Sequence, residues 1–306
     1  MLRPEPVMLE ATLVGPSVEY RLRGSVGRKG RVAAVLSSVA YVSMNAGLLS
    51  IARDDTDPCA FSVATTIPRH ADFRSTGLAV DQAAYATIER IVVPGRLELD
   101  MRPARRWMPE VWAKFPDPAL IRRGISGLRM SLPRNINYAG LGGFVKDGHC
   151  PEDGDTVGRA AQPLVFSAGK FVASLSSGTF GDCDWARKLI GLGPGLTPSG
   201  DDFLSGYLVA LHAIGQRDGA CRLWAAIEDC ARASTNLISL AMLESAAAGL
   251  GNASLHAAVN AIISGECAAD AIDRLSRFGN SSGWDALAGV VAVLESAAKH
   301  RRPLAA

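Results

Sequence analysis

The feature that most narrows the fold is a change of hydrophobic period along the chain. Up to about residue 100 the apolar residues come in short runs rich in β-branched and aromatic side chains. These are Val32-Ala-Ala-Val-Leu, Ala40-Tyr-Val-Ser-Met, Phe61-Ser-Val-Ala-Thr-Thr-Ile and Ile91-Val-Val. Turn formers separate them, among them Gly27, Gly30, Asn45, Gly47, Pro58 and Gly95. Such runs read as strands, and their close spacing without long helices between suggests an antiparallel sheet or small barrel. From about Trp185 the period becomes helical. Phe203, Leu204, Tyr207, Leu208 and Leu211 form one stripe, and Leu287, Val290, Val291 and Leu294 another. Between the two regimes, Leu120, Ile121, Ile125 and Leu128 predict a helix near Pro118–Met130. Asn135 to Gly158 reads as a long loop, functional or a boundary. The expectation is an α+β chain: a β-rich domain over 1–160 packed against a mostly helical domain over 161–306.

The 306 residues suffice for a substantial core, and 48% hydrophobic with 20% charged residues is the balance of a soluble globular protein. A net charge of +2 gives no reason to expect nucleic acid. Arg102, Arg105, Arg106, Arg122 and Arg123 read as solvated surface. The N-terminal stretch, with Arg3, Glu5 and two prolines, lacks the apolar core of a signal peptide. No run approaches the roughly 20 apolar residues that span a bilayer. The expectation is therefore a cytoplasmic protein with no membrane role. The six cysteines are scattered without metal-site spacing, so cysteine or metal chemistry is not expected.

The densest run of unusual residues is Gly191-Leu-Gly-Pro-Gly-Leu-Thr-Pro-Ser-Gly-Asp-Asp202. Gly191, Gly193 and Gly195 admit backbone conformations that a β-carbon would block. Thr197 before Pro198 fits an N-cap with proline at the first helical position. Free amides at a helix start, with the positive end of its dipole, suit a phosphate or carboxylate. No lysine follows the glycines as in a Walker loop, and no strand precedes them as in a dinucleotide fold. Asp201 and Asp202 would repel a bare anion unless they orient an amine, hold Mg²⁺ or take a proton. Capping is the plainer alternative, because Ser199 and Asp202 have the spacing of a capping box variant. On that spacing Asp202 is the expected cap and Asp201 the expected functional group.

The pattern recurs. Ser199-Gly-Asp-Asp-Phe-Leu-Ser-Gly206 returns as Ser282-Gly-Trp-Asp-Ala-Leu-Ala-Gly289, preceded by Asn280 and Ser281. Both copies open a helix with Asp three residues after Ser, so two helix N-termini are expected to line one site. Between them lies Ser234-Thr-Asn-Leu-Ile-Ser239. Thr235, Asn236 and Ser239 either bond back to the preceding turn or point into that site.

The strings GLGPGLTPSGDDFLSG, STNLISLAMLESAAAG and GNSSGWDALAG resemble a bacterial family that includes the AllH-type subunit of oxamate carbamoyltransferase, from anaerobic allantoin (purine) breakdown. The resemblance lies mainly in residues 185–295. It implies transfer of a carbamoyl group between oxalurate or oxamate and phosphate, by a complex of several different subunits. It carries over to Gly193, Gly195, Thr197, Ser199, Gly200, Asp201 and Asp202, and to Ser281, Ser282, Gly283 and Asp285. The expected roles are catalysis for Asp201 and Asp202, and substrate binding for the others together with Thr235, Ser239 and Asn280. The expected substrate is a small anion, carbamoyl phosphate or a carboxylate, and the expected partners are other enzyme subunits. No cofactor is expected, Mg²⁺ at Asp201 and Asp202 being the one alternative. No cation lies inside the motifs, so an Arg from the N-terminal half or a partner subunit would have to neutralise the anion. The competing reading is a non-catalytic subunit that binds an anionic metabolite or serves as a scaffold.

Overall fold

The computed structural model describes residues 5–112, 115–133, 139–150, 155–277 and 279–300. The chain forms two units, Met1–Pro109 and Glu110–Ala306, the first β-rich and the second helical. The division read from the sequence, at 160, falls inside the helix Thr156–Ser176 rather than in a linker.

Strands β1 (Val7–Val14), β2 (Lys29–Val35), β3 (Val39–Met44), β4 (Gly47–Arg53) and β5 (Ser62–Thr65) occupy the first part of the β unit. They are followed by β6 (Ala83–Ala86), β7 (Arg90–Val93), β8 (Leu97–Asp100) and β9 (Arg105–Arg106). The sheet order is β5-β4-β3-β2-β6-β7-β8-β1-β9, and an added β5–β1 pairing closes the first eight strands into a barrel. Most pairings are antiparallel, as the sequence suggested, but β4–β5, β1–β8 and β1–β9 are parallel. Alternation sets the interior: Ile91 and Val93 of β7 and Leu97 and Leu99 of β8 point inward, while Arg90 and Glu98 do not. Helix α1 (Val18–Arg23) adds Val18 and Leu22 to that core.

The helical unit comprises α2 (Pro118–Met130), α3 (Gly143–Asp147), α4 (Thr156–Ser176), α5 (Asp184–Leu189) and α6 (Ser199–Ala213). It continues with α7 (Arg217–Ser234), α8 (Leu237–Ala247), α9 (Ala253–Ser264), α10 (Ala269–Ser276) and α11 (Ser282–His300). The stretch read as a long loop holds α3 and the start of α4, while residues 134–138 and 151–154 of it lie outside the described residues. Helix α4 begins where it does because Asp155 caps it, its Oδ1 accepting from the Gly158 amide at 2.8 Å. No helix among the described residues is long and apolar enough to cross a membrane.

Helices α6 and α11 cross at the centre of this unit. Gly206 of α6 lies on the Ala286 carbonyl, and Gly289 of α11 lies on the Phe203 carbonyl. A β-carbon at either position would overlap that backbone oxygen, so only glycine allows the approach. Helix α6 is apolar almost all round and buried almost all round, with Phe203, Leu204, Tyr207 and Leu208 fully enclosed. The Tyr207 hydroxyl is satisfied by donating to the Ala168 carbonyl at 2.9 Å.

Candidate functional site

The glycine loop enters α6 with Gly191, Gly193 and Gly195 in the left-handed region, at φ of 72°, 110° and 108°. The helix itself starts one residue later than the sequence suggested. Pro198 occupies the cap, and no side chain caps the helix. The Thr197 hydroxyl instead meets the Ser282 hydroxyl at 2.8 Å, across to the start of α11. Asp202 does not cap either, so the Ser199–Asp202 capping box is not formed. Of the first helical amides, Gly200 donates to the Leu192 carbonyl (2.9 Å) and Asp201 to that of Pro198 (2.9 Å). The free amides therefore lie in the loop ahead of the helix. Gly195, Leu196 and Thr197 donate to no protein acceptor among the described residues.

The two copies of the repeated pattern come together as reciprocal partners in contact. Besides the paired glycine contacts, each serine serves the other copy's acid. The Ser199 hydroxyl lowers the Asp285 pKa, and the Ser282 hydroxyl lowers that of Asp202. Burial outweighs both effects. Desolvation, then the Asp285 charge, pushes Asp202 well above the usual carboxylate range. Desolvation raises Asp285 to about 6, against the Leu141 amide, which donates to its Oδ1 at 2.6 Å. The Oδ2 atoms of both acids are buried and have no hydrogen-bond partner among the described residues. Two acids that interact in such surroundings titrate as a pair, with burial favouring the protonated forms.

Asp201 points elsewhere, as successive helical residues must. Its Oδ1 accepts from the Gly191 amide (2.8 Å) and its Oδ2 from the Thr235 hydroxyl, fastening the glycine loop to the α7–α8 junction. Burial raises its pKa too, while Thr235, Gly191 and Ser239 pull it back. The junction is a break between helices, not one continuous helix. Asn236 caps α8 by accepting from the Ile238 and Ser239 amides at 2.9 and 3.2 Å. Its side-chain amide donates to the Leu196 carbonyl at 2.7 Å, so it also grips the loop. The Ser239 hydroxyl is buried without a geometric hydrogen bond among the described residues.

Around the second helix start, Asn280 is exposed and Ser281 half-buried. The Ser281 carbonyl accepts from the Asp285 amide at 2.9 Å, and Gly283 packs on the Leu275 carbonyl. One wall of the site was not read from the sequence. Gly140, at φ 71°, sits so close that a β-carbon there would lie 2.5 Å from Ser199 Oγ and 2.6 Å from Asp285 Oδ1. Its amide donates to Asp155 Oδ2 at 2.9 Å, so the α4 cap also holds this turn. The signal was present as Asp155 ahead of a helix and a glycine cluster at 140–143.

Asp201 and Asp202 make different contacts, Asp201 with Gly191 and Thr235, Asp202 with Ser282 and Thr197. Among the described residues no group of three His, Cys, Asp or Glu side chains could hold a metal. Nor does any Lys, Arg or His among them pair with Asp201, Asp202 or Asp285. The arrangement offers a cluster of open amides beside two buried acids whose pKa values are raised, with no cation among the described residues paired to them.

No solved structure matches the chain. Residues 189–294, running from the end of α5 through the glycine loop and most of α11, match the family model described as oxamate carbamoyltransferase subunit AllH, and that is the family this helical unit resembles.

Proposed function

We propose that the chain is one subunit of a carbamoyltransferase-type enzyme, assembled with different subunits and acting on carbamoyl phosphate and a small acid such as oxamate. The observation that carries this reading is the reciprocal pairing of the two Ser–Asp helix starts within the segment that matches the family.

In this reading the open amides of Gly195, Leu196 and Thr197 and the N-terminal end of α6 hold the phosphate. The oxamate amide nitrogen attacks the carbamoyl carbon, the carbon–oxygen bond to phosphate breaks, and phosphate leaves with the electron pair. The nitrogen must shed a proton, and the Asp202–Asp285 pair is the local acceptor. Asp201 positions the loop through Gly191 and Thr235 and does not touch substrate. The positive charge that offsets the leaving phosphate comes from outside the motifs.

The test is phosphate release from carbamoyl phosphate with oxamate, for the chain alone and with candidate partner subunits. Release that depends on partners, and falls about tenfold or more in Asp202→Asn and Asp285→Asn, supports the assignment. An active complex indifferent to both substitutions removes the acid pair from the chemistry. Titration with phosphate should shift the Gly195–Thr197 amide resonances, and unmoved resonances would remove the anion from the loop.

The burial of Asp202 and Asp285 favours a second reading, in which the subunit binds an anionic metabolite or scaffolds an active partner. That reading requires moving amide resonances with no dependence of turnover on either acid.

A further inference from the structure

A cavity of about 530 Å³ opens between α2, α3 and the last turn of α11. Its charged lining is Arg122, Arg129, Lys146 and Lys299 against Glu295 and Asp147, four cations to two carboxylates. A second cavity of about 450 Å³ runs along α4 and α11 and shares Glu295 and Lys299 with the first. The second is mainly apolar. Its floor is made of Gly169, Ala173, Ala288 and Ala292, small residues that leave a trench between the two helices.

The guanidinium groups beside the first cavity are held in place. Arg129 donates from Nε to the Val145 carbonyl (3.1 Å) and from Nη1 to Glu295 (2.7 Å). Arg122 donates from Nη1 to the Ala298 carbonyl at 3.0 Å. The remaining N–H groups of both take no acceptor among the described residues, and Lys299 pairs with no carboxylate among them. Capping the end of α11 accounts for one bond of Arg122. It does not account for cations from three helices converging on open volume. Fixed forks with spare donors suit an oxyanion, because little side-chain freedom is lost on binding.

We propose that this double groove binds an organic anion of the phosphate monoester class. The doubly charged head lies among Arg122, Arg129 and Lys299, and the apolar body lies in the α4–α11 trench. The site is separate from the paired helix starts and does not rest on the carbamoyl chemistry.

The test is calorimetric titration of the full chain with phenyl phosphate and with inorganic phosphate at low salt, where such contacts are least screened. Phenyl phosphate is expected to bind more tightly than inorganic phosphate. Lys299→Glu and Arg122→Gln should each weaken phenyl phosphate by about tenfold, leaving inorganic phosphate held at the glycine loop unchanged. Gly169→Leu should weaken phenyl phosphate alone. A β-carbon at Gly169 meets no atom within 4 Å, so a larger side chain fills the trench without disturbing the fold. Lys299 is exposed, so its exchange keeps the test valid if Arg122→Gln loosens α11. Absence of phenyl phosphate binding overturns the proposal, as does phenyl phosphate binding that survives Lys299→Glu and Arg122→Gln, which would belong to the glycine loop. Equal affinity for the two probes, unchanged by Gly169→Leu, removes the apolar half of the assignment.

Discussion

The starts of α6 and α11 share Ser, Gly, Asp, Leu and Gly at matching positions and differ at the third, fifth and seventh, where α6 has Asp201, Phe203 and Ser205 and α11 has Trp284, Ala286 and Ala288. Three of the shared positions meet across the two helices: Gly206 and Gly289 at the crossing, Ser199 with Asp285, Ser282 with Asp202, while Gly200 and Gly283 pack on the Leu189 and Leu275 carbonyls. The residues at the third position serve their own surroundings. Asp201 ties down the glycine loop, and Trp284 is buried in the helical core. The shared Ser, Asp and second Gly thus mark what the two helices do together, and the third position marks local scaffolding. Spacing alone made Asp202 the cap and Asp201 the functional group, and the structure removes the cap role from Asp202.

The largest expected effect tests the crossing. Gly206→Val and Gly289→Val should each cost at least about 3 kcal/mol, since the added carbons meet backbone that cannot rotate away. Urea denaturation of the two variants should give similar losses. A large loss for one and a small loss for the other would break the equivalence of the two helices.

Next comes the pH dependence of stability. Asp285 titrates near 6 when folded and near the ordinary value of 3.8 when unfolded. Between those values the folded state binds more protons, so this group's contribution favours folding at low pH and is lost as pH rises through 6. The full loss is roughly 3 kcal/mol, since each tenfold change in proton affinity is worth about 1.4 kcal/mol. Asp285→Asn should therefore be more stable than the wild type at neutral pH and similar to it near pH ~4. Urea midpoints at both pH values measure this. A variant less stable at neutral pH would mean that the ionised carboxylate is favoured where it lies.

Asp201 should respond in the opposite sense. Asp201→Asn replaces an acceptor facing the Gly191 amide or the Thr235 hydroxyl with a donor, at a cost of about 1–3 kcal/mol. Thr235→Val should lose part of the same amount, and the double variant should show less than the sum. Thermal melts read this directly. An unchanged melt for Asp201→Asn would end its description as scaffolding.

Residue pattern alone carried the helix Pro118–Met130, the strands around Val32, Ala40 and Ile91, and the meeting of the two Ser–Asp repeats. Each rests on local periodicity or on a literal repeat. What it did not carry depends on tertiary placement. Parallel pairing of β1 with β8 joins segments far apart in the chain, and no local signal encodes it. Helix α4 was hidden because Pro163 and two glycines, Gly158 and Gly169, interrupt its pattern. The roles of Asp201 and Asp202 turned on which way two adjacent carboxylates point, and spacing from Ser199 cannot decide that. The Gly140 wall has no motif of its own and is recognisable only by what it touches.

The smallest expected effect probes where the two helix starts stop matching. Thr197 aligns with Asn280 in the second copy, so the threonine hydroxyl of the Thr197–Ser282 hydrogen bond is not a shared residue. If shared positions carry the joint function and unshared ones adjust it, this bond should contribute only an ordinary neutral hydrogen bond, about 1 kcal/mol. A cycle of Thr197→Val, Ser282→Ala and the double variant isolates that coupling from the effect of each side chain on Asp202. Both hydroxyls lower the Asp202 pKa, so each single variant should also leave that acid more firmly protonated. A coupling near 1 kcal/mol, with turnover falling less than in Asp202→Asn, fits a contact that steadies the acid from one side. A coupling of several kcal/mol would make Thr197 an equal member of the pair. The division between shared and unshared positions would then fail at its first asymmetric contact.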